Sequence, residues 1–487
     1  MDLKLMERAG ADLILPCAIC IAVLVYLSFA PALFNDGDTS WHLAAGRWMI
    51  EAGSIPRVDP FSFTHAGQPW TAHEWLAELL MAGAFRLGSW GGLSLLFATS
   101  AAATLWIVAL QARRLALPSS ASAALILALF IVLAPFIVAR PHVLAWPLLA
   151  LWAILMLRAR EAGRSPPLSA ALLMLLWANL HGSFLFGLLM ILPFALEALV
   201  ADRARMPTII GWGAFFILSL VAAIATPHGI DGLRFPLAVS RMESLPLIME
   251  WRATDLTESV GFALVLAGMA AFALYRRLRI PPVRLLFLGL LLLMAFAHVR
   301  HQALLGIIGS LLLIEPLAQS FGAKTAGGNG RPLPRSVALV IAGSVLLVWA
   351  VRLPIDLSPG DSGSNPRTAI AHIPAALRNV PVLNGYGFGG PLILDGIRPF
   401  IDGRADLYGD AHMFEHQRII SGDRQAFERA LQQWGIGWTI LPPDSRLAAR
   451  LDREPGWRRI HADRWAVIHV ADVPAAAGSG SGASPIS

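Results

Sequence analysis

The sequence predicts a polytopic α-helical membrane protein with a small α/β domain at its C-terminal end. Hydrophobic residues make up 56% of the 487 residues and charged residues only 14%, whereas soluble proteins average about 25% charged residues. The mean hydropathy is +0.61. Apolar residues form long runs up to residue 353, and from residue 355 onward the runs are short and the charges balanced. These observations exclude an ordinary soluble enzyme.

Apolar runs long enough to cross a bilayer recur throughout residues 1–354. A membrane-spanning helix needs about 20 predominantly apolar residues, and counting such runs predicts about 11 spans. They lie at 11–33, 90–111, 119–139, 143–158, 167–180, 184–200, 208–225, 258–274, 284–298, 302–319 and 336–353. The runs at 167–180 and 184–200 are short, and a re-entrant hairpin is the alternative for this pair.

Short arginine-rich connections between the runs predict the orientation. Examples are Arg113 with Arg114 and Arg276 with Arg277, and connections of this kind normally stay in the cytoplasm. With an odd number of spans, the N-terminus is expected inside and the C-terminal domain outside, in the periplasm. Topology therefore accounts for the net charge of +6, and we expect no nucleic-acid partner.

Two extramembrane parts follow from this topology. The first outer loop, residues 34–89, is predicted to carry one amphipathic helix over 39–51 and a second that begins at Thr71, where Glu74 would complete a capping box. The C-terminal part, 355–473, is predicted to be an α/β domain. Its apolar runs Val382–Leu383, Leu392–Leu394, Trp438–Leu441 and Trp465–Ile468 alternate with helical stretches near 366–378, 422–434 and 444–452. The tail at 474–487 is expected to be disordered.

Ionisable residues gather at the outer ends of the predicted spans. Charged groups near membrane depth are costly and normally face a protein interior or a watery cavity, so their convergence predicts one polar cavity that opens to the outside. The expected members are Asp36, Asp38, His73, Glu74, Arg140, His142, His181, His228, Glu250, Arg252, Arg300 and His301.

Three carboxylates in this set are the candidate catalytic groups, namely Asp36, Asp38 and Glu74. A helix cap would account for Asp38 but not for two neighbouring aspartates, whereas Glu74 is equally well explained by the capping box. An Asp-x-Asp spacing also suits Mg²⁺ or Mn²⁺ held between carboxylate and phosphate oxygens. Asp36 and Asp38 are therefore the candidate metal ligands as well.

The cationic members are candidates for binding an anion. Arg300 and Arg140, with His301 beside them, run against the positive-inside trend, and a guanidinium fork matches a phosphate. The alternative is that they reach the lipid head groups. His73, His142, His181, His228, Glu250 and Arg252 would line the same cavity, although a structural histidine is the common alternative. In the C-terminal domain, Asp402 and Arg404 are either a packed ion pair or part of a lid that contacts an acceptor.

Several motifs resemble the GT-C superfamily of membrane glycosyltransferases, and in particular a bacterial branch described as RgtA/B/C/D-like. The matching stretches are Asp38–Gly46, Asp59–Ser62, His73–Leu76, Arg140–His142, Trp177–Gly182 and Phe400–Tyr408. The architecture, with an Asp-x-Asp after the first span and a long first outer loop, resembles the superfamily over most of the chain. The Asp-Glu pair followed by tyrosines that some relatives have is absent, which leaves the assignment between Asp36 and Asp38 open.

The resemblance implies an inverting glycosyltransferase of the bacterial inner membrane. Residues 1–354 would be the catalytic domain, and Asp36 or Asp38 would be the general base. The donor would be a sugar on a polyprenyl phosphate or diphosphate, bound by Arg300, Arg140 and His301, and the acceptor a glycan, a lipid or a protein. The alternatives are a lipid-linked glycan polymerase or ligase, a flippase, and a non-catalytic scaffold. A flippase would need a polar path across the whole membrane, whereas the ionisable residues here gather on one side.

Overall fold

The computed structural model describes residues 3–201, 205–323, 335–355 and 357–472, with side chains from residue 13 onward. The predicted tail at 474–487 lies outside the described residues. By its internal contacts the chain forms two compact units. Of the described residues, the helical unit comprises those within Met1–Leu33, His73–Arg241 and Leu245–Ser358, and the mixed unit comprises those within Phe34–Ala72, Met242–Ser244 and Pro359–Ser487. Much of the predicted first outer loop thus belongs to the same unit as the C-terminal domain.

The two units contain helices α1–α18 and strands β1–β4. In chain order the helices are α1 (Leu3–Phe29), α2 (Asp38–Ala52), α3 (Trp75–Arg114), α4 (Ser119–Leu133), α5 (Pro141–Glu161), α6 (Ala171–Leu180), α7 (Phe184–Ala201), α8 (Arg205–Ile224), α9 (Ile230–Val239), α10 (Val260–Arg276), α11 (Pro282–Ala297), α12 (His301–Ser320), α13 (Arg335–Arg352), α14 (Arg367–Ala371), α15 (Gly389–Leu394), α16 (Ala405–Ile420), α17 (Arg424–Trp434) and α18 (Arg446–Leu451). The strands are β1 (Val382–Asn384), β2 (Trp438–Leu441), β3 (Trp457–Ala462) and β4 (Val467–Ala471).

The predicted helical membrane class is confirmed, and each predicted apolar run coincides with a helix. Among the described residues, seven helices are long and apolar enough to cross a membrane. Four further apolar segments of the described chain are shorter, at Leu13–Phe29, Leu168–Leu180, Val260–Arg276 and Pro282–Ala297. The count of about 11 spans is therefore not confirmed.

Helix α3 joins a predicted loop helix and a predicted span into one kinked helix of 40 residues. Its kink lies at Gly88 and Ser89, where Ser89 has a φ of 50°. The helix begins at Trp75, and Glu74 at the N-cap makes no side-chain capping bond. The capping box predicted from Thr71 and Glu74 is wrong, because the helix starts too far along the chain for Thr71 to reach its first N–H groups.

Packed helices and buried charges hold the helical unit together. Helix α1 packs on α3 and α4, and α3 packs on α5. Arg284 of α11 is 6% exposed and donates to both carboxylate oxygens of Glu197 at 3.0 Å and to Glu315 at 2.9 Å. Because a buried charge is costly without its partner, this network favours the arrangement in which α7, α11 and α12 meet.

The mixed unit is built on a sheet with the strand order β1-β2-β4-β3. Strand β1 pairs with β2 in parallel, and β4 runs antiparallel to both β2 and β3. The crossover from β1 to β2 contains α15, α16 and α17, since parallel neighbours need a long connection. Apolar side chains of the strands form the core with residues of the crossover, among them Val382, Phe388, Leu392, Trp438, Ile440 and Ile468.

Two elements of the mixed unit differ from the prediction and one agrees with it. Leu392–Leu394 ends α15 instead of forming a strand, because three apolar residues have no periodicity that separates helix from strand. Helix α16 (Ala405–Ile420) was not predicted. Helix α2 agrees with the prediction and ends at Gly53, whose φ of 62° is the left-handed conformation that suits glycine after a helix.

Candidate active site

Two arginines of the helical unit converge on one carboxylate. Arg140 stands at the N-cap of α5, Glu250 in a short turn, and Arg300 at the N-cap of α12. The Arg140 guanidinium donates to both oxygens of Glu250 at 3.2 Å. The Arg300 guanidinium lies 3.9 Å from Glu250 Oε1. The three side chains are between 20% and 27% exposed, so solvent reaches the cluster.

Backbone hydrogen bonds hold the cluster in register. The Arg300 N–H donates to Glu250 O at 3.1 Å, and the Val299 N–H donates to Arg252 O at 3.0 Å. The Arg300 guanidinium also lies over the Trp251 ring, 4.4 Å from its centroid, where a cation–π contact is favourable. These contacts orient Arg300 from two sides.

The charges of the arginine cluster keep Glu250 ionised. Burial alone would raise the pKa of Glu250, but Arg140 and Arg300 outweigh it and lower that pKa to about 2. The folded-state pKa is thus depressed, so the attraction is fully present above the ordinary carboxyl pKa and is lost only as the pH falls toward about 2. At neutral pH the two arginines hold a fully charged anion.

A second polar group of the helical unit surrounds Glu74, which is 8% exposed. Glu74 Oε1 lies 3.3 Å from His181 Nε2 and 3.6 Å from His73 Nε2. Trp75 donates through Nε1 to Asn179 Oδ1 at 2.9 Å, which ties the start of α3 to the end of α6. Glu74 and His181 meet because these two helix ends are joined.

The tautomer of His181 follows from its neighbours. The Ser183 N–H donates to His181 Nδ1 at 3.0 Å, so Nδ1 accepts and Nε2 carries the hydrogen in the neutral ring. Burial, followed by His142 and Arg300, lowers the pKa of His181 well below its ordinary value. A neutral His181 therefore directs its Nε2–H toward Glu74.

The structure brings together part of the predicted cavity set within the helical unit. The ring centroids of His142 and His181 lie 6.2 Å apart. His301 follows Arg300 in the chain, and its ring centroid lies 5.3 Å from that of His298. Arg252 is exposed and donates to Pro246 O at 3.3 Å, outside the cluster. The His228 N–H donates to Thr226 Oγ1 in the turn before α9.

Asp36 and Asp38 lie in the mixed unit at the start of α2, and both are half-buried. The Asp38 N–H donates to Asp36 Oδ1 at 2.8 Å, and the Trp41 indole N–H donates to Asp38 Oδ1 at 3.0 Å. The alternative interpretation, in which Asp38 caps the helix, is wrong. Asp38 is already the first helical residue, so its side chain reaches along the first turn to Trp41 while Asp36 binds the unpaired N–H.

A fully buried ion network lies in the same unit. Arg404 donates to Asp402 at 2.8 and 2.6 Å and to Asp59 Oδ1 at 2.7 Å, and the Tyr408 hydroxyl donates to Asp402 Oδ2 at 2.7 Å. Burial would raise the pKa of Asp402, but Arg404 outweighs it and lowers that pKa. Burial and Asp402 raise the pKa of Tyr408, which keeps its hydroxyl proton. Asp402 and Arg404 thus form the packed pair, the first of the two predicted interpretations.

Asp59 and Trp41 belong to these candidate clusters, although sequence reasoning did not select them as site residues. Asp59 lies in a motif that was noted, Asp59–Ser62. Its partner Arg404 is 345 residues away in sequence, so no local pattern connects the two. The charged residues of the two motifs, Asp59 in one and Asp402 and Arg404 in the other, were the available signal.

Asp36 and Asp38 supply only part of a metal coordination shell. In the described part of the chain, no group of three or more His, Cys, Asp or Glu side chains is arranged to hold a metal ion. Mg²⁺ takes an octahedral shell of oxygens and usually keeps several waters. With Mg²⁺ or Mn²⁺ at these two aspartates, the remaining oxygens would come from phosphate and water. A metal ion here stays a prediction.

Comparison with known proteins relates the fold to solved membrane enzymes. No family model and no curated protein sequence matches the chain. ArnT from Cupriavidus metallidurans, bound to undecaprenyl phosphate, aligns with a TM-score of 0.53 and 15% identity over 96% of this chain and 99% of that chain. The oligosaccharyltransferase AglB from Archaeoglobus fulgidus, in complex with an inhibitory peptide and a dolichol-phosphate, aligns with a TM-score of 0.53 and 12% identity over 88% of this chain and 69% of that chain.

The apo form of the Archaeoglobus enzyme gives a similar result, with a TM-score of 0.52, 12% identity and coverage of 87% of this chain and 69% of that chain. ArnT and AglB are both GT-C membrane glycosyltransferases. At such low identity the likeness concerns the fold alone. The fold of this chain is therefore similar to that of ArnT and AglB.

Proposed function

We propose that this protein is an inverting glycosyltransferase that moves a sugar from a polyprenyl-phosphate or polyprenyl-diphosphate donor to an acceptor glycan, lipid or protein. The observation that carries the proposal is the convergence of Arg140 and Arg300 on the carboxylate of Glu250, in a chain with the GT-C fold. Two guanidinium groups that hold a carboxylate can hold a phosphate in the same way.

The solved structures support the class of donor. ArnT was solved with undecaprenyl phosphate and AglB with a dolichol-phosphate. A lipid carrier also explains why the proposed enzyme is a membrane protein, since its apolar helices share the bilayer with the donor lipid. We propose that Arg300 and Arg140 bind the donor phosphate and that His301 lies beside them.

The proposed transfer breaks one bond and forms another. The acceptor hydroxyl oxygen attacks the anomeric carbon and loses its proton to Asp38. The bond from the anomeric carbon to the phosphate oxygen breaks, and its electron pair leaves with the polyprenyl phosphate. Attack from the face opposite the leaving group inverts the anomeric centre. Arg140 and Arg300 would stabilise the charge that develops on the phosphate.

Asp38 is the preferred base because the Asp36 carboxylate already accepts a backbone hydrogen bond at the start of α2. One Asp36 oxygen accepts the Asp38 N–H, a bond that would hold that carboxylate to the backbone throughout the reaction. Asp38 is half-buried, and the Trp41 indole orients it. Asp36 and Glu74 are the alternative bases.

We further propose that the protein resides in the bacterial inner membrane with its C-terminal domain in the periplasm. The support is the arginine-rich character of connections such as Arg113–Arg114 and Arg276–Arg277, which the positive-inside rule assigns to the cytoplasm. Donor phosphate and acceptor would then meet on the periplasmic face.

A transfer assay on the purified full-length protein in lipid nanodiscs tests the proposal. Polyprenyl-phosphate and polyprenyl-diphosphate donors with radiolabelled sugars would be offered with lipid and glycan acceptors from the cell envelope. We expect label in the acceptor and release of an equal amount of the lipid phosphate. In liposomes, movement of intact donor between leaflets without release would instead indicate a flippase.

Arg300→Ala is expected to weaken use of the donor by at least roughly tenfold. Loss of a charge-assisted hydrogen bond to phosphate costs about 1.5–3 kcal/mol. Arg300→Lys should restore donor use only in part, because an ammonium lacks the planar fork and stacks poorly on Trp251. Donor saturation kinetics measure the effect, with acceptor affinity as the internal control. Unaltered donor dependence would mean that Arg300 only anchors its helix to lipid head groups.

Glu250→Gln is expected to tighten binding of polyprenyl phosphate severalfold. The carboxylate occupies the two guanidinium groups that the phosphate would use, and neutralising it removes a competing anion. Isothermal titration of undecaprenyl phosphate into nanodiscs measures the change. Glu258→Gln is the control, because Glu258 is exposed in the same unit and loses the same charge. Weaker binding by Glu250→Gln would mean that this carboxylate positions the arginines.

A further inference from the structure

The segment that carries the two aspartates is packed against glycines from the other end of the chain, within the mixed unit. A Cβ atom at Gly390 would overlap Gly37 O, and a Cβ atom at Gly37 would overlap Gly387 O. Helices α2 and α15 are in contact along this region. The two backbones thus approach more closely than residues with side chains would allow.

Gly403 makes a similar approach to the candidate base. A Cβ atom there would overlap Asp38 Oδ1 and would lie 2.7 Å from Asp38 Cγ and 2.9 Å from Trp41 Nε1. The Trp41 indole donates to that same carboxylate oxygen at 3.0 Å. The Asp38 carboxylate is therefore confined between an indole donor and a backbone without a side chain.

The backbone conformation does not explain a glycine at position 403. Gly403 is absent from the positive-φ glycines of the described chain, which include Gly409 and Gly422. An L-residue could adopt the conformation, so the space occupied by Asp38 is what requires glycine here.

The residues on both sides of Gly403 are immobilised. Asp402 and Arg404 are 0% and 1% exposed and belong to the ion network with Asp59. The Tyr386 hydroxyl also donates to Gly403 O at 3.2 Å. Because buried charges cannot leave their partners without a large penalty, the turn has little freedom to move away from Asp38.

We propose that Gly403 is a positioning residue for Asp38, so that a turn from the C-terminal part of the chain orients the proposed base within the mixed unit. The turn at Asp402–Arg404 fixes the Asp38 carboxylate at one rotamer, with the Trp41 indole on its other side. This inference rests on the proposed function, in which Asp38 is the general base.

Gly403→Ala is expected to lower kcat by about 100-fold or more, since displacing a catalytic group by about 1 Å can cost this much. The KM for the donor should stay unchanged, because the variant alters the base and leaves Arg140 and Arg300 intact. Gly360→Ala is the matched control: Gly360 is exposed in the same unit, and an added Cβ meets nothing within 4 Å. A Gly403→Ala enzyme with normal kcat would overturn the proposal.

A double-mutant cycle on the melting temperature (the thermal cycle) tests the contact without an activity assay. We expect Gly403→Ala to lower the Tm of the wild-type protein by several degrees and to have a smaller effect in the Asp38→Ala background, where the overlapping oxygen is gone and only the approach to Trp41 Nε1 remains. Such coupling is what a double-mutant cycle detects between touching residues. Equal Tm losses in both backgrounds would overturn the proposed contact, even for variants that are too unstable for kinetics.

The two experiments separate this inference from the proposed function. If the wild-type protein transfers no sugar from any donor, the proposed function fails, and the thermal cycle still decides whether Gly403 confines Asp38. If the wild type is active and Gly403→Ala is equally active, only the positioning role fails.

Discussion

Asp38→Asn is expected to lower sugar transfer by roughly 10²–10⁴-fold, the contribution of a placed general base. The amide keeps the size of the side chain and can still accept the Trp41 indole N–H, but it cannot take the proton of the acceptor hydroxyl. Single-turnover transfer with saturating donor measures the loss. Donor binding should be unchanged, because the candidate phosphate ligands Arg140 and Arg300 are intact.

Asp36→Asn is the matched control for this prediction. It removes the same charge two residues away, and asparagine is as good a capping residue as aspartate, so the bond to the Asp38 N–H is kept. We expect near-normal transfer. The reverse result, with only Asp36→Asn inactive, would reassign the base to Asp36. Normal turnover in both variants would direct the search to Glu74.

Arg404→Leu is expected to destabilise the mixed unit by roughly 3–5 kcal/mol, the usual cost of removing one partner of a buried ion pair. In the wild-type protein Asp402 and Asp59 both pair with the Arg404 guanidinium. The substitution leaves these two buried carboxylates without a cationic partner. Hydrogen exchange of the β2 amides measures the loss, because core strands exchange through unfolding of the whole unit.

Arg424→Leu is the control for Arg404→Leu. Arg424 pairs with Glu428 on the exposed face of α17, and exposed ion pairs contribute little to stability. Exchange of the same β2 amides should be almost unchanged. If Arg404→Leu also left exchange unchanged, protonation or a shifted cationic side chain would have to neutralise the two carboxylates, and the network would not be what holds the turn beside Asp38.

The sequence alone determined the positions of the membrane helices. An apolar run of about 20 residues is a local property that does not depend on what it packs against, and each predicted run is a helix. The placement of polar residues at span ends also predicted that Arg140, Glu250 and Arg300 would be members of one larger cavity. Their span ends do meet, with Glu250 as the shared partner.

Helix starts and short apolar segments were less predictable. The capping box at Thr71 and the strand at Leu392–Leu394 failed because a few residues fit more than one local structure. The interpretation of Asp38 as a helix cap failed because the helix begins at Asp38, one residue before the predicted start at residue 39.

Only the tertiary structure decided what Asp59 and Gly403 do. Asp59 meets Arg404 across 345 positions of sequence, and the contact exists because the mixed unit joins the first loop to the C-terminal part of the chain. Gly403 is one glycine among 42, and its importance comes from the Asp38 oxygen that occupies the place of a side chain. The local sequence determines the periodicity and polarity of a segment. Which distant segments approach each other closely is decided by tertiary packing.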